Sequence, residues 1–145
     1  MADVQVHQLA KKKKVLIIDN EAIILLMFQI LLEKNNYEVF TVLSGEAAFS
    51  TLSKIDLPDL ILLDFRLDDM SGPEFLLQLE EKRPDIIQTV PVVFVTGMDE
   101  VPESKAVGLI RKPIDNDKFI ESVRRYIEVG TGQLQTPNSQ EKPFP

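Results

Sequence analysis

Four short polar segments hold the residues able to do chemistry: Asp19-Asn20-Glu21, Asp64, Thr96 and Lys112. Each follows an apolar run, Val15-Leu-Ile-Ile, Leu60-Ile-Leu-Leu, Val92-Val-Phe-Val or Val107-Gly-Leu-Ile. None of these runs alternates with period two, which suits central parallel strands covered on both faces. If helices lie between them, right-handed crossovers bring every strand's carboxyl end to one side of the sheet, the side where open α/β sheets bind ligands. Carboxylates meeting there repel and call for a cation. A donor set of carboxylate, amide and backbone carbonyl oxygens suits Mg²⁺, which is commonly shared with a phosphate. Lys112 supplies a mobile positive charge, Thr96 a hydroxyl donor, and Asp64 a carboxylate that can act as nucleophile and form an aspartyl phosphate. Taken singly, each residue has a plainer use, as a helix cap, a satisfied loop hydroxyl or a surface lysine. The chemical reading rests on all four falling on one edge.

The elements that must position these residues are legible in the pattern. Strand one is expected at about 14–19, followed by a helix from about 21 to 34 that Asn35-Asn36 ends. Tyr37 to Val42 alternates like a short edge strand, and Ser44-Gly45-Glu46 opens a helix to about Lys54. Strand three leads into Asp64, and Ser71-Gly-Pro-Glu74 carries a capping-box signature for a helix with an apolar stripe at Phe75, Leu76 and Leu79. Strand four is expected at about 91–96. The stretch Met98 to Ala106 has room for barely two helical turns, and a last helix capped by Asp115 should run to about Val129. The expected fold is therefore α/β, five strands alternating with five helices, the fourth one stunted. Residues 13–129 form the domain, between a polar leader (1–12) and a tail (130–145) of disordered composition.

The first helix carries more apolar surface than one sheet can cover. Ile24, Met27, Phe28 and Leu31 form one stripe, and Ile23, Leu26 and Ile30 a second beside it. The surplus is either shielded by neighbouring helices or is a docking surface for a protein, a second copy of the chain included.

Composition narrows the function classes. The net charge of -7 argues against a nucleic-acid surface, and the one basic run, Lys11 to Lys14, reads as a solvated strand entrance. With no cysteine there are no disulfides or thiolate metal sites. The single histidine, His7, lies in the leader, which removes a Ser-His-Asp triad or phosphohistidine chemistry on this chain. No segment approaches the ~18 apolar residues of a membrane span, and the start lacks a secretory h-region, so membrane insertion is not expected and the cytoplasm is the default location.

Together, Asp19-Asn20-Glu21, Asp64, Thr96, Lys112-Pro113 and the Asp-X-Arg-Leu-X-X-Met-X-Gly pattern of residues 64–72 resemble the receiver domain of two-component response regulators. The resemblance spans about residues 14–129. It implies a flavodoxin-like (βα)5 sheet of order 2-1-3-4-5 and a phosphoryl group taken by Asp64 from a histidine kinase or a histidine phosphotransfer protein. It also implies Mg²⁺ held by Asp19, Asn20, Asp64 and the backbone carbonyl of Arg66, phosphoryl contacts from Thr96 and Lys112, and a cis bond before Pro113.

Three features depart from the family pattern. Asn20 stands where a second acid is usual, which weakens Mg²⁺ binding and leaves open a pseudo-receiver, a binding module with little or no phosphorylation. The switch position, usually aromatic, is Leu109. The stretch between Thr96 and Lys112 is short, which reduces the usual signalling face and turns attention to helix one. The two positions that govern dephosphorylation are Arg66 and Met98, neither able to orient an attacking water. With no effector segment expected after residue 129, the output would be contact with a downstream protein of unknown identity. A haloacid dehalogenase phosphatase would need Asp-X-Asp-X-Thr after strand one and a flavodoxin a Thr/Ser/Gly-rich loop there; this chain has neither.

Overall fold

The computed structural model describes residues 11–98 and 101–131 of the chain. The expected leader and tail fall largely on residues 1–10 and 132–145, outside the described residues. Five strands, β1 (Lys14–Ile18), β2 (Glu38–Val42), β3 (Leu60–Leu63), β4 (Val92–Thr96) and β5 (Gly108–Arg111), form one parallel sheet in the order β2-β1-β3-β4-β5. The helices are α1 (Ala22–Lys34), α2 (Gly45–Leu52), α3 (Gly72–Lys82), α4 (Pro84–Thr89) and α5 (Asn116–Val129). Strands β3 and β4 are buried along their whole length, as their unbroken apolar runs require.

Each face of the sheet has its own core. Leu16, Ile18, Ile61, Leu63 and Phe94 face α2 and α3, and Phe75, Leu76 and Leu79 of the expected α3 stripe are buried among them. Val15, Ile17, Leu62, Val93 and Ile110 face α1 and α5, where Phe28 and Phe119 stack with ring centres 4.8 Å apart.

Three departures from the sequence expectation have physical causes. The helix after strand three is two helices. Pro84 lacks the amide that would continue α3, so it starts α4 instead, and Arg83 at the joint pairs with Asp85 at 2.9 Å. The stunted helix before β5 is not formed among the described residues, since 101–107 is irregular. A groove of about 470 Å³ lined by Pro73, Leu76, Leu77, Glu80, Glu103 and Ser104 lies beside it. Finally, the buried side of α1 is Leu25, Phe28 and Leu32, spaced three and four apart; Met27, grouped above in one stripe with Phe28, is 57% exposed. The second stripe is exposed, with Ile23 at 73% and Ile30 at 51%.

The loop after β3 is pinned at both ends. Leu67 N–H bonds the Met70 carbonyl (3.0 Å) and Gly72 N–H the Phe65 carbonyl (2.6 Å), closing a small bridge between Arg66 and Ser71. Asp69 then accepts from the amides of Gly45 (3.0 Å) and Glu46 (2.9 Å), while Ser44 Oγ accepts from Ala47 (3.1 Å), so the N-terminus of α2 is capped from two loops. Burial pushes the Asp69 carboxyl up, but the amides of Glu46 and Gly45 and the adjacent backbone outweigh it and hold the group below the usual carboxylate range. Gly72 has no room for a side chain. A Cβ there would lie 2.6 Å from Phe94 Cε1 and 2.8 Å from the Asp64 carbonyl oxygen.

Gly72→Ala should lower unfolding free energy by about 1–3 kcal/mol in urea titrations, the usual range for overpacking; an unchanged midpoint would contradict the close packing. Asp69→Ala should cost about 1 kcal/mol near pH 7, the typical value of a lost cap. A depressed native pKa contributes stability fully above the unfolded value of about 3.9, and that stability is lost as pH falls through the native value. The gap between wild type and Asp69→Ala should therefore narrow at about pH 2, and a gap of equal size there would contradict the capping role.

Candidate functional site

Strand register decides which side chains meet. Ile18 pairs with Leu63 across β1 and β3, so the next residues, Asp19 and Asp64, leave the sheet side by side. Thr96 pairs with Arg111 across β4 and β5, which brings Lys112 to the same edge; its amide bonds the Thr96 carbonyl at 2.8 Å. The Lys112 ammonium lies 3.3 Å from Asp19 Oδ2 and 3.9 Å from Asp64 Oδ1, close enough to pair with both acids. The Lys112–Pro113 peptide is cis.

Asp19 is only 2% exposed, and its other oxygen accepts from the Glu21 amide at 2.9 Å, which turns the chain into α1. Asp64 is half-buried and accepts from the Phe65 amide at 2.9 Å. Burial is the main influence pushing the Asp64 carboxyl above the usual range; the neighbouring Asp19 adds to it, and Lys112 and the Phe65 amide pull it back without cancelling the rise. The Thr96 hydroxyl is buried and accepts from the Met98 amide at 3.3 Å.

Asp64, Thr96 and Lys112 line a cleft of about 270 Å³ together with Asn20, Glu21, Phe65, Arg66 and Met98. Of the residues singled out in the sequence, Asn20, Glu21, Asp64, Arg66, Thr96, Met98 and Lys112 line this cleft, and the buried Asp19 pairs with Lys112. Leu109 does not; it is buried in the core beside Phe94 on the neighbouring strand. Pro113 and the first-helix residue Ile30 belong to a second groove, of about 520 Å³, between α1 and the β5–α5 loop. Lys112 lines both. Ile23 and Leu26 stand exposed on the same helix.

The side-chain oxygen donors lining the cleft include the carboxylates of Asp64 and Glu21 and the Asn20 amide; the Asp19 carboxylate stands against Lys112, and Arg66 is in the lining. The bonds that frame the Arg66–Ser71 bridge use the carbonyls of Phe65 and Met70, not that of Arg66. No group of three Asp, Glu, His or Cys side chains comes together as a metal site among the described residues, consistent with an amide where a third acid would complete one. The set fits a hard divalent cation that keeps part of its water shell.

The acidic pair Asp68-Asp69 matters more than the sequence reading allowed. There the two were unspecified positions in a pattern. Here Asp69 caps α2, and Asp68 Oδ1 accepts from Asn20 Nδ2 at 3.1 Å. Two adjacent acids in a turn, just after a strand-end carboxylate, were the available signal, since such residues commonly satisfy nearby amides.

Comparison with known proteins agrees with this geometry. The family model for the response regulator receiver domain matches residues 15–124. Sporulation initiation phosphotransferase F of Bacillus subtilis is 30% identical over 122 residues, covering 79% of this chain and 94% of the relative. The polar-differentiation response regulator DivK of Brucella anthropi is 29% identical over 121 residues, covering 79% and 96%. In fold, a chemotaxis response regulator of Vibrio cholerae superposes with a TM-score of 0.71 at 23% identity, over 79% of this chain and 98% of that one. On its match along most of its length, with the sheet order and strand-end residues described above, this chain belongs to the response regulator receiver domain family.

Proposed function

We propose that this chain is a phosphoacceptor in a two-component phosphorelay, taking a phosphoryl group onto Asp64 from a histidine kinase or histidine phosphotransfer protein and signalling by protein contact. The observation that carries this reading is the Lys112 ammonium lying 3.3 Å from Asp19 and 3.9 Å from Asp64, beside a cleft that Asp64, Thr96 and Lys112 line. A carboxylate oxygen of Asp64 attacks phosphorus, the phosphorus–nitrogen bond of the donor histidine breaks, and the imidazole leaves with a proton taken from solvent. Lys112 and Thr96 would then pair with phosphoryl oxygens, and the doubly charged group would compete with Asp19 for the ammonium.

Asp19, Asn20, Asp64 and the Arg66 carbonyl would hold Mg²⁺. When bound, the metal supplies positive charge against the phosphoryl oxygens. Leu109 would take the part of the switch residue, filling space as Thr96 moves, although it offers a partner neither a ring nor a hydroxyl. The groove along α1 shares Lys112 with the cleft, so a helix seated there would stand beside Asp64. The exposed Ile23, Leu26 and Ile30 offer the same face to a donor, a downstream target or a second copy of this chain. No described helix is long and apolar enough to cross a membrane, which accords with work in the cytoplasm.

Incubation with acetyl phosphate and Mg²⁺ should add the mass of one phosphoryl group, and Asp64→Asn should abolish the gain. Unmodified wild-type mass would favour a pseudo-receiver, in which Asn20 has cost the site its metal chemistry. The phosphorylated form should be long-lived. Neither Arg66 nor Met98 has a carboxylate or amide to orient an attacking water. Label followed after removal of the donor should persist for many minutes, and loss within seconds would refute this.

A further inference from the structure

We propose that Asp68 is a positioning residue: it turns the Asn20 side chain so that the amide oxygen, not the NH₂, is left for the cleft, giving this chain a neutral oxygen ligand for its cation. The inference rests on the reading of the cleft as a cation-assisted phosphoacceptor and concerns how that site works with an amide at position 20.

A carboxylate presents oxygen whichever way it rotates. An amide does not, because its carbonyl accepts and its NH₂ donates, and only the oxygen can ligate a cation. Asparagine in a metal site therefore needs something to select the useful orientation. Asn20 Nδ2 lies 3.1 Å from Asp68 Oδ1. An ionised carboxylate only accepts hydrogen bonds, so the nitrogen end of the amide must be the end facing Asp68, and the oxygen end faces away from it.

Asp68 can hold this bond because its own backbone is held. It lies between Leu67, whose amide bonds the Met70 carbonyl at 3.0 Å, and Asp69, whose carboxylate is tied to the first amides of α2. The turn is closed again by the bond from Gly72 N–H to the Phe65 carbonyl, in a position where any side chain on residue 72 would collide with Phe94. The same turn bears Arg66, which lines the cleft, so one pinned loop carries both a cleft residue and the acid that holds Asn20.

Asp68 also brings a negative charge, which would favour a cation with no orienting role at all. A double-mutant cycle on the 145-residue chain separates the two effects. Mg²⁺ is titrated into wild type, Asp68→Ala, Asp68→Asn, Asn20→Asp and the double variant Asn20→Asp/Asp68→Ala, followed by backbone and side-chain amide NMR shifts. Asp68→Ala should weaken Mg²⁺ binding roughly 3- to 10-fold, the scale of one hydrogen bond, whereas Asp68→Asn, which keeps an acceptor oxygen, should stay within about 2-fold. Asn20→Asp should bind more tightly than wild type, and Asp68→Ala in that background should change affinity by less than about 2-fold, since a carboxylate needs no orienting. Without metal, the Asn20 side-chain NH₂ signals should move in Asp68→Ala.

An equal loss from Asp68→Ala in both backgrounds would overturn the proposal in favour of charge alone. An unchanged affinity in Asp68→Ala would overturn it in favour of no role for Asp68 at all, and Mg²⁺-induced shifts in Asn20→Asp that wild type lacks would overturn it by showing that Asn20 does not serve as a ligand. Failure of Asp64 to take a phosphoryl group would overturn the phosphoacceptor reading instead, and the cycle would still decide the role of Asp68.

Discussion

Two carboxylates placed side by side by strand register are the constraint to which the rest of the molecule responds. The pairing of Ile18 with Leu63 leaves no freedom in where Asp19 and Asp64 emerge, and Asp19 is almost fully buried. Burial first, and then the charge of Asp19 beside it, hold the Asp64 carboxyl above the usual range. Lys112, delivered from the far edge of the sheet, offsets the repulsion. A lone lysine can pair fully with one acid at a time, and here the shorter contact is to Asp19. Asp64 is left the less satisfied of the two and the more open to an incoming electrophile.

The scaffold keeps this arrangement rigid. Strands β1, β3 and β4 are buried on both faces, and two separate cores lock them between α1 and α5 on one side and α2 and α3 on the other. The turn after Asp64 is tied into α2 by Asp69, so the backbone near the cleft is held by hydrogen bonds that do not depend on any bound group. The first helix, by contrast, keeps apolar surface in excess of what the core covers. Leu25, Phe28 and Leu32 are buried and Ile24 and Leu31 pack partly against the core, while Ile23, Leu26, Met27 and Ile30 stand exposed.

The sheet and its polar edge were legible in the sequence because a buried parallel strand leaves an unbroken apolar run, and a run that ends in Asp, Thr or Arg-Lys marks where cover ends. Hence Asp19, Asp64, Thr96 and Lys112 could be placed on one edge before any coordinates. Caps at Ser44, Ser71 and Asp115 were legible for a local reason, since each bonds an amide three residues on. What escaped was non-local or ambiguous in period. The covered side of α1 could not be chosen from a helix apolar on nearly every side, and Leu25 and Leu32 were passed over. The restart at Pro84 was hidden inside a longer helical pattern, and residues 101–107, which had room for a short helix by length, are irregular. The bonds of Asp68 and Asp69 reach residues 48 and 23 to 24 positions away, beyond any local motif.

The central claim, that Asp64 is the atom-level acceptor of a phosphoryl group, is tested most directly by trapping the acyl phosphate. Borohydride reduction of the phosphorylated protein, followed by peptide mapping by mass, converts a phosphorylated aspartate to homoserine. Homoserine is expected at position 64 alone. Reduction at position 19 or another carboxylate, with Asp64 intact, would contradict it.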